Sequence, residues 1–209
     1  MTRLLSIHPS HPQARLIAQC VDCLKDSGVI VYPTDSAYAL GCCISSQRAI
    51  DELRRLRGLR KNHLLTLLCA DLSVVSLFAR VDNEAFKWLK SCVPGPYTFV
   101  LRATGATPRR VRHERRRTVG IRVPDNVVTA ALLAALDEPL ISTTLKPAGA
   151  DRALTDPREA ARVLKGRIGL VLDAGEGSAE ATTVVDLTEG LPSVLRPGLG
   201  DTAVFEYMS

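Results

Sequence analysis

The chain has 209 residues, 46% hydrophobic and 23% charged, which excludes a disordered or collagen-like protein and suits one α/β domain spanning residues 1–209. No apolar run approaches the roughly 18 residues of a membrane helix, and the opening Met1-Thr2-Arg3-Leu4-Leu5, soon broken by His8-Pro9, lacks a secretory signal, so the cytoplasm is expected. The net charge of +5 is unevenly placed: from Arg102 to Arg122 eight arginines face one acid, Glu114, a segment of +7 that leaves the remainder slightly acidic.

Residues 13–27 read as an amphipathic helix, with Leu16, Ile17, Cys20, Val21 and Leu24 on one face and Gly28 as its stop. Residues 29–32 form a short apolar run, hence a buried strand. After a loop at 33–36, residues 37–44 read as extended chain. Residues 46–57 place Ile50, Leu53 and Leu56 at helical spacing, with Ser45 or Ser46 as cap. Residues 64–69 suggest a second buried strand, and 71–78 and 83–91 two short helices. Pro94-Gly95-Pro96 is a hard break before a strand at 97–101. A long basic loop covers 103–117. Strand 118–123, helix 126–136, strand 140–144 and a turn at 146–151 follow. Asp156-Pro157 opens a helix through 164, and three strands near 169–172, 182–187 and 193–195 close the chain. Helix-linked strands mixed with runs of strands argue for one twisted open mixed sheet with helices packed on it.

Familiar catalytic motifs are missing. There is no phosphate loop, no strand-linked G-x-G-x-x-G, no G-x-S-x-G and no H-E-x-x-H. His8, His11, His63 and His113 stand at no informative distance from a carboxylate or nucleophile. Six cysteines in a chain without an export signal imply reduced thiols. Cys20 and Cys23 share a helix face, but no second pair stands at zinc spacing, so packing is expected and no metal site. Cys42 and Cys43, adjacent in a strand, would point to opposite faces.

What remains is a set of hydroxyls and cations at element ends: Thr34, Asp35 and Ser36; Arg57, Arg60 and Lys61; Arg122; Thr143, Thr144 and Lys146; Arg196. Ligands of open α/β sheets sit outside strand ends, and such groups suit phosphate or carboxylate oxygens. Each is equally a turn or cap residue on its own. The arginine run suits a surface that meets a polyanion; the other reading is a solvated loop.

Together these residues resemble the YrdC/YciO family, which includes the threonylcarbamoyl-AMP synthases. Tyr32-Pro33-Thr34-Asp35-Ser36-Ala37-Tyr38-Ala39-Leu40-Gly41 is similar to its Y-P-T-D/E-T/S-x-Y-G/A-L-G signature, and Pro94 to Leu101 to P-G-P-x-T-x-V/I-L. Thr118 to Pro124 matches T-V/I-G/A-V/I-R-x-P. Thr182-Thr183-Val184-Val185-Asp186 and Leu195-Arg196-Pro197-Gly198 match two late motifs. The resemblance implies a YrdC/RibB-like, DHBP-synthase-like sheet with a concave basic cavity. It also implies condensation of threonine, bicarbonate and ATP into threonylcarbamoyl-AMP and pyrophosphate for tRNA modification, a nucleotidyltransferase reaction. Mg²⁺ would come with ATP, and no resident cofactor or covalent enzyme group is implied.

The sequence departs from the synthases at two short motifs. Their K-x-R position reads Arg57-Gly58-Leu59 and their S-x-N position Thr144-Leu145-Lys146, the pattern of the YciO branch. Arginine and lysine coordinate phosphate differently, so weakened or altered activity is expected. By resemblance, Thr34, Arg122 and Thr182 would hold the amino acid, and Arg57, Thr118, Thr144, Lys146 and Arg196 would face ATP or AMP. Lys146 would stand in for the cation missing at Leu59. Arg109, Arg110, Arg112, Arg115, Arg116 and Arg117 would meet tRNA or double-stranded RNA. The alternative is a non-catalytic RNA-binding or ribosome-associated protein. With 4% aromatics, backbone contacts to folded RNA fit better than base stacking.

Overall fold

The computed structural model describes residues 2–60, 63 and 65–205. Ten strands form one mixed sheet in the order β1-β8-β2-β3-β7-β4-β6-β5-β9-β10. They are β1 (Arg3–Ser6), β2 (Ile30–Tyr32), β3 (Ala39–Cys43), β4 (Thr66–Leu68), β5 (Tyr97–Arg102), β6 (Thr118–Arg122), β7 (Leu140–Thr144), β8 (Leu170–Asp173), β9 (Thr183–Asp186) and β10 (Ser193–Arg196). Among the described residues six α-helices accompany them: α1 (Ala14–Lys25), α2 (Gln47–Arg57), α3 (Leu72–Phe78), α4 (Asn83–Cys92), α5 (Val127–Leu136) and α6 (Pro157–Val163). The expected open mixed sheet is the one observed.

Local chemistry explains the helix starts. Ser46 Oγ accepts from Ala49 N at 3.2 Å, Asp71 Oδ1 from Val74 N at 2.9 Å, and Asp82 Oδ1 from Ala85 N at 2.8 Å. Asn126 Oδ1 accepts from Thr129 N at 3.0 Å at the head of α5. Each satisfies an N–H that the first helical turn leaves open. Gly58, at φ +64°, ends α2 in the left-handed region.

One expectation is corrected, and one strand was not foreseen. Gly28 does not supply the left-handed residue after α1; Ser27 does, at φ +61°. Gly28 is needed for space, since a Cβ there would lie 2.5 Å from the Cys23 carbonyl oxygen. Strand β1 carries no signal in the sequence. It is an edge strand paired in parallel with β8, with three of its four residues exposed, so no buried face imposes alternation.

The two faces of the sheet are covered unequally. One face packs against α2, α3, α4 and α6 through Leu40, Leu67, Phe99, Val119, Ile121 and Val185 among others. On the opposite face α1 and α5 enclose a smaller core with Ile30, Tyr32, Ala39, Leu140 and Leu170. That second cover stops short. Its innermost contact with the far half of the sheet is Leu68 of β4. No α-helix of the second core covers β6, β5, β9 or β10 on this face among the described residues. Cys42 and Cys43 do face opposite cores. All six thiols are free, and no cluster of three or more metal-ligating side chains occurs among the described residues.

Candidate functional site

Side chains alternate between faces along a strand, so registers identify what stands on the uncovered side. Ser142 pairs with Thr66, Thr66 with Gly120, Gly120 with Val100, and Val100 with Asp186. Ser142 lies on the α1/α5 side, because its Oγ accepts from the buried Tyr32 hydroxyl at 2.7 Å. The same parity puts Thr118 and Arg122 of β6, Thr98 of β5, Thr144 of β7 and Thr182 before β9 on this face. An otherwise ordinary sheet thus presents hydroxyls and guanidinium groups where the opposite side presents Leu, Ile and Phe.

Arg122 is the most enclosed cation on this face, with 7% of its surface exposed. Its Nη2 donates to Thr34 Oγ1 at 3.2 Å and to Ser36 Oγ at 2.9 Å, and it pairs with Asp35. Asp35 is held in turn by the Asp125 backbone N–H at 3.1 Å. Thr129 Oγ1 on α5 donates to the Pro33 carbonyl at 2.6 Å, fixing the loop that carries these groups. Arg122 Nε is buried and has no partner among the described residues. A buried donor left open is uncommon and marks a place where a ligand acceptor is welcome.

Thr98 Oγ1 and Thr182 Oγ1 lie 2.9 Å apart, and Arg196 Nη2 donates to the Thr182 carbonyl at 2.9 Å. The structure therefore links Thr182 to Arg196 directly, and Thr34 to Arg122 directly. Thr98, one residue beyond the Phe99–Ile121 pair, stands between the two groups. In the sequence Thr98 stands only as one position of the Pro94–Leu101 motif. Strand parity within that motif is the signal that would have found it.

Of the five residues expected to face the nucleotide, a direct hydrogen bond links Arg57 to Lys146, while Arg196 bonds to Thr182. Arg57 Nε donates to Thr143 Oγ1 at 3.3 Å, and its Nη1 donates to the Lys146 carbonyl. Burial lowers its pKa from the ordinary arginine value. Thr144 pairs with Ala39, and Thr118 with Arg102. Arg196 belongs to β10, five strands from β7 in the sheet order. Lys146 is half-buried and joins no ion pair among the described residues. Leu59 is also half-buried, with its side chain packed against the larger core. Lys61, expected beside Arg57, lies outside the described residues.

The basic loop is anchored. Val111 is buried at 1% exposure, and Arg54 Nη2 donates to the Arg110 carbonyl at 3.1 Å. His113 Nδ1 accepts from Arg116 N at 3.1 Å, while His113 N donates to the Thr118 carbonyl at 2.8 Å. Arg109, Arg110, Arg115, Arg116 and Arg117 are exposed and Arg112 is half-exposed. None of the six pairs with a carboxylate within 4 Å among the described residues. No helix of the described residues is long and apolar enough to cross a membrane.

Residues 22–198 match the Sua5/YciO/YrdC family model, described as "Telomere recombination". Over 205 residues the chain is 45% identical to the uncharacterized protein YciO of Escherichia coli K12, covering 98% of this chain and all of that one. The crystal structure of E. coli YciO superposes with a TM-score of 0.94, again over 98% and 100% of the two chains. A threonylcarbamoyl-AMP synthase of Methylobacillus flagellatus is 30% identical over 83% of this chain and 95% of its own. Pyrococcus abyssi Sua5, crystallised with L-threonine, is 24% identical, with a TM-score of 0.86 over 94% of this chain and 58% of that one.

Proposed function

Since the chain belongs to the Sua5/YciO/YrdC family, we propose that it is a cytoplasmic, single-domain protein that binds an adenine nucleotide, an amino-acid carboxylate and folded RNA on the uncovered face of its sheet, with threonylcarbamoyl-AMP synthesis weakened. The distant relatives named as threonylcarbamoyl-AMP synthases support the reaction class. In that reaction the threonine amine takes up CO₂ as a carbamate, whose oxygen attacks the α-phosphate and expels pyrophosphate. Mg²⁺ belongs to the ATP substrate. The chain's own residues would hold and orient. Arg122, with Thr34 and Ser36, suits the amino-acid carboxylate, and its open Nε offers one more donor. Thr182 and Arg196 would bound the same ligand, with Thr118 and Thr144 toward the nucleotide. Fixed donors of this kind act where charge develops.

The observation that carries the weakened rate is the turn Arg57-Gly58-Leu59. Arg57 commits Nε and Nη1 to Thr143 and to the Lys146 carbonyl, which fixes its guanidinium, and Leu59 carries no charge. Of the two positions only Arg57 carries a cation that could face a triphosphate, and its guanidinium is held in one orientation. Lys146 remains as the candidate substitute. Losing one well-placed donor costs about 10²–10³ in rate. The double variant Leu59→Arg, Lys146→Asn should raise pyrophosphate release dependent on threonine and bicarbonate. Native turnover already equal to that of a synthase with both motifs intact would end this reading.

A second reading, a non-catalytic RNA-binding module, is favoured by the loop at 109–117. Six arginines that pair with no carboxylate among the described residues, held on a braced loop, suit a polyphosphate backbone.

A further inference from the structure

At the far end of the uncovered face, between the basic loop and edge strand β10, lies a cavity of about 690 Å³. Its floor is Val100, Thr118 and Asp186, on strands β5, β6 and β9. Leu191, Pro192 and Leu195 form an apolar wall, with Leu191 69% and Leu195 55% exposed. Arg102, Arg116 and His113 stand on the side of the basic loop, and Glu189 follows Asp186 by three residues. The cavity holds both signs of charge, yet none of these acids pairs with a cation within 4 Å among the described residues.

The groups are fixed with part of their capacity unspent. Asp186 Oδ1 accepts from Thr188 N at 2.8 Å and Thr188 Oγ1 at 2.6 Å, which pins the carboxylate and leaves Oδ2 open. Arg102 Nε donates to the Thr188 carbonyl at 3.1 Å, which leaves its terminal nitrogens. His113 Nδ1 is taken by the Arg116 N–H, which leaves Nε2. A matching ligand needs a flat apolar body, adjacent donors toward the carboxylates, and acceptors toward the arginines and His113. Guanine has this layout: N1–H and the N2 amine form one edge, and O6 and N7 the other. Adenine offers only one amine and puts acceptors on both sides of it.

We propose that this cavity takes a single unpaired guanine of an RNA whose backbone lies on the arginine loop, a reading that rests on the RNA-binding proposal above. Sequence preference would come from the carboxylates, and affinity from the arginines, since phosphate contacts position and base contacts specify.

The test uses the full chain and a fluorescent RNA hairpin with a short single-stranded tail carrying one guanosine, inosine or adenosine, read by anisotropy at fixed salt. Guanosine should bind about ten-fold tighter than adenosine, with inosine between because it lacks the N2 amine. Glu189→Gln and Asp186→Asn should flatten the ranking without changing the salt slope. Ser193→Trp, opposite Asp186 on the exposed edge strand, should fill the cavity without touching the core. Arg115→Ala with Arg117→Ala should weaken all three RNAs equally. Equal affinity for the three tails, or a preference that survives both Glu189→Gln and Ser193→Trp, overturns the proposal. If no RNA binds at low salt, the RNA reading fails, and titration with GMP against AMP then decides the cavity. A GMP preference abolished by Ser193→Trp upholds the cavity, and its absence overturns it.

Discussion

Replacing Arg122 by alanine is expected to be costly to the fold itself, independently of any ligand. The arginine and Asp35 side chains are 8% and 10% exposed, so the pair lies largely out of water. Removing the cation leaves the carboxylate with the Asp125 N–H at 3.1 Å and strips Thr34 and Ser36 of a donor. Breaking one side of a buried pair costs about 3–5 kcal/mol, whereas an exposed pair is worth about 0–1 kcal/mol. For a chain of this size that loss lowers Tm by roughly 6–20 °C. Urea denaturation followed by circular dichroism gives the free energy, provided the slope with denaturant is unchanged. The double variant Asp35→Asn, Arg122→Met removes both charges and should recover much of the loss. An Arg122→Ala protein destabilised by under about 1 kcal/mol would refute the argument. So would a double variant as unstable as the single one, because the cost would then not come from the orphaned carboxylate.

Other outcomes follow from neighbouring geometry. Gly41→Ala should destabilise by about 1–3 kcal/mol, since its Cβ would sit 2.6 Å from Tyr32 Cε1 and push the ring off Ser142; an unchanged melting curve would contradict this. Replacing Arg115, Arg116 and Arg117 by alanine should lower the salt slope of duplex RNA binding by about 2–3, and an unaltered slope would move the RNA site elsewhere. The thiols should resist alkylation in the native protein. Burial pushes Cys20, Cys43 and Cys69 up to about 12 and Cys42 higher still, and only Cys23 is not fully buried. Mass spectrometry should show slow modification confined to Cys23, with all six reacting in denaturant; rapid labelling of Cys42 in the native state would contradict the packing.

The sequence disclosed what local physics controls. The 3.6-residue spacing of Leu16, Cys20 and Leu24 and the caps Ser46, Asp71 and Asp82 have their causes within a few residues, and those helices stand where expected. The Thr34–Arg122 contact was legible only through motifs, since 88 positions separate the partners. Thr182 and Thr98 meet because β5 and β9 are neighbours, a strand order that no local pattern encodes. Leu59 read as a missing cation, but that it turns inward depends on the core packed beneath α2. Asp186 was visible as the end of a motif, while the cavity above it needs the loop from residue 187 to 192 and edge strand β10.

The second helical cover ends at β4, and this makes the protein easy to change. Apart from the buried Arg122–Asp35 pair, side chains that α1 and α5 do not reach add little to the hydrophobic stability of the chain, so exchanging them leaves folding largely intact. The opposite face cannot vary so freely, because each of its strands fills a closed interior. A lineage can therefore rewrite the chemistry of one half of one face while the other three quarters of the sheet hold the shape.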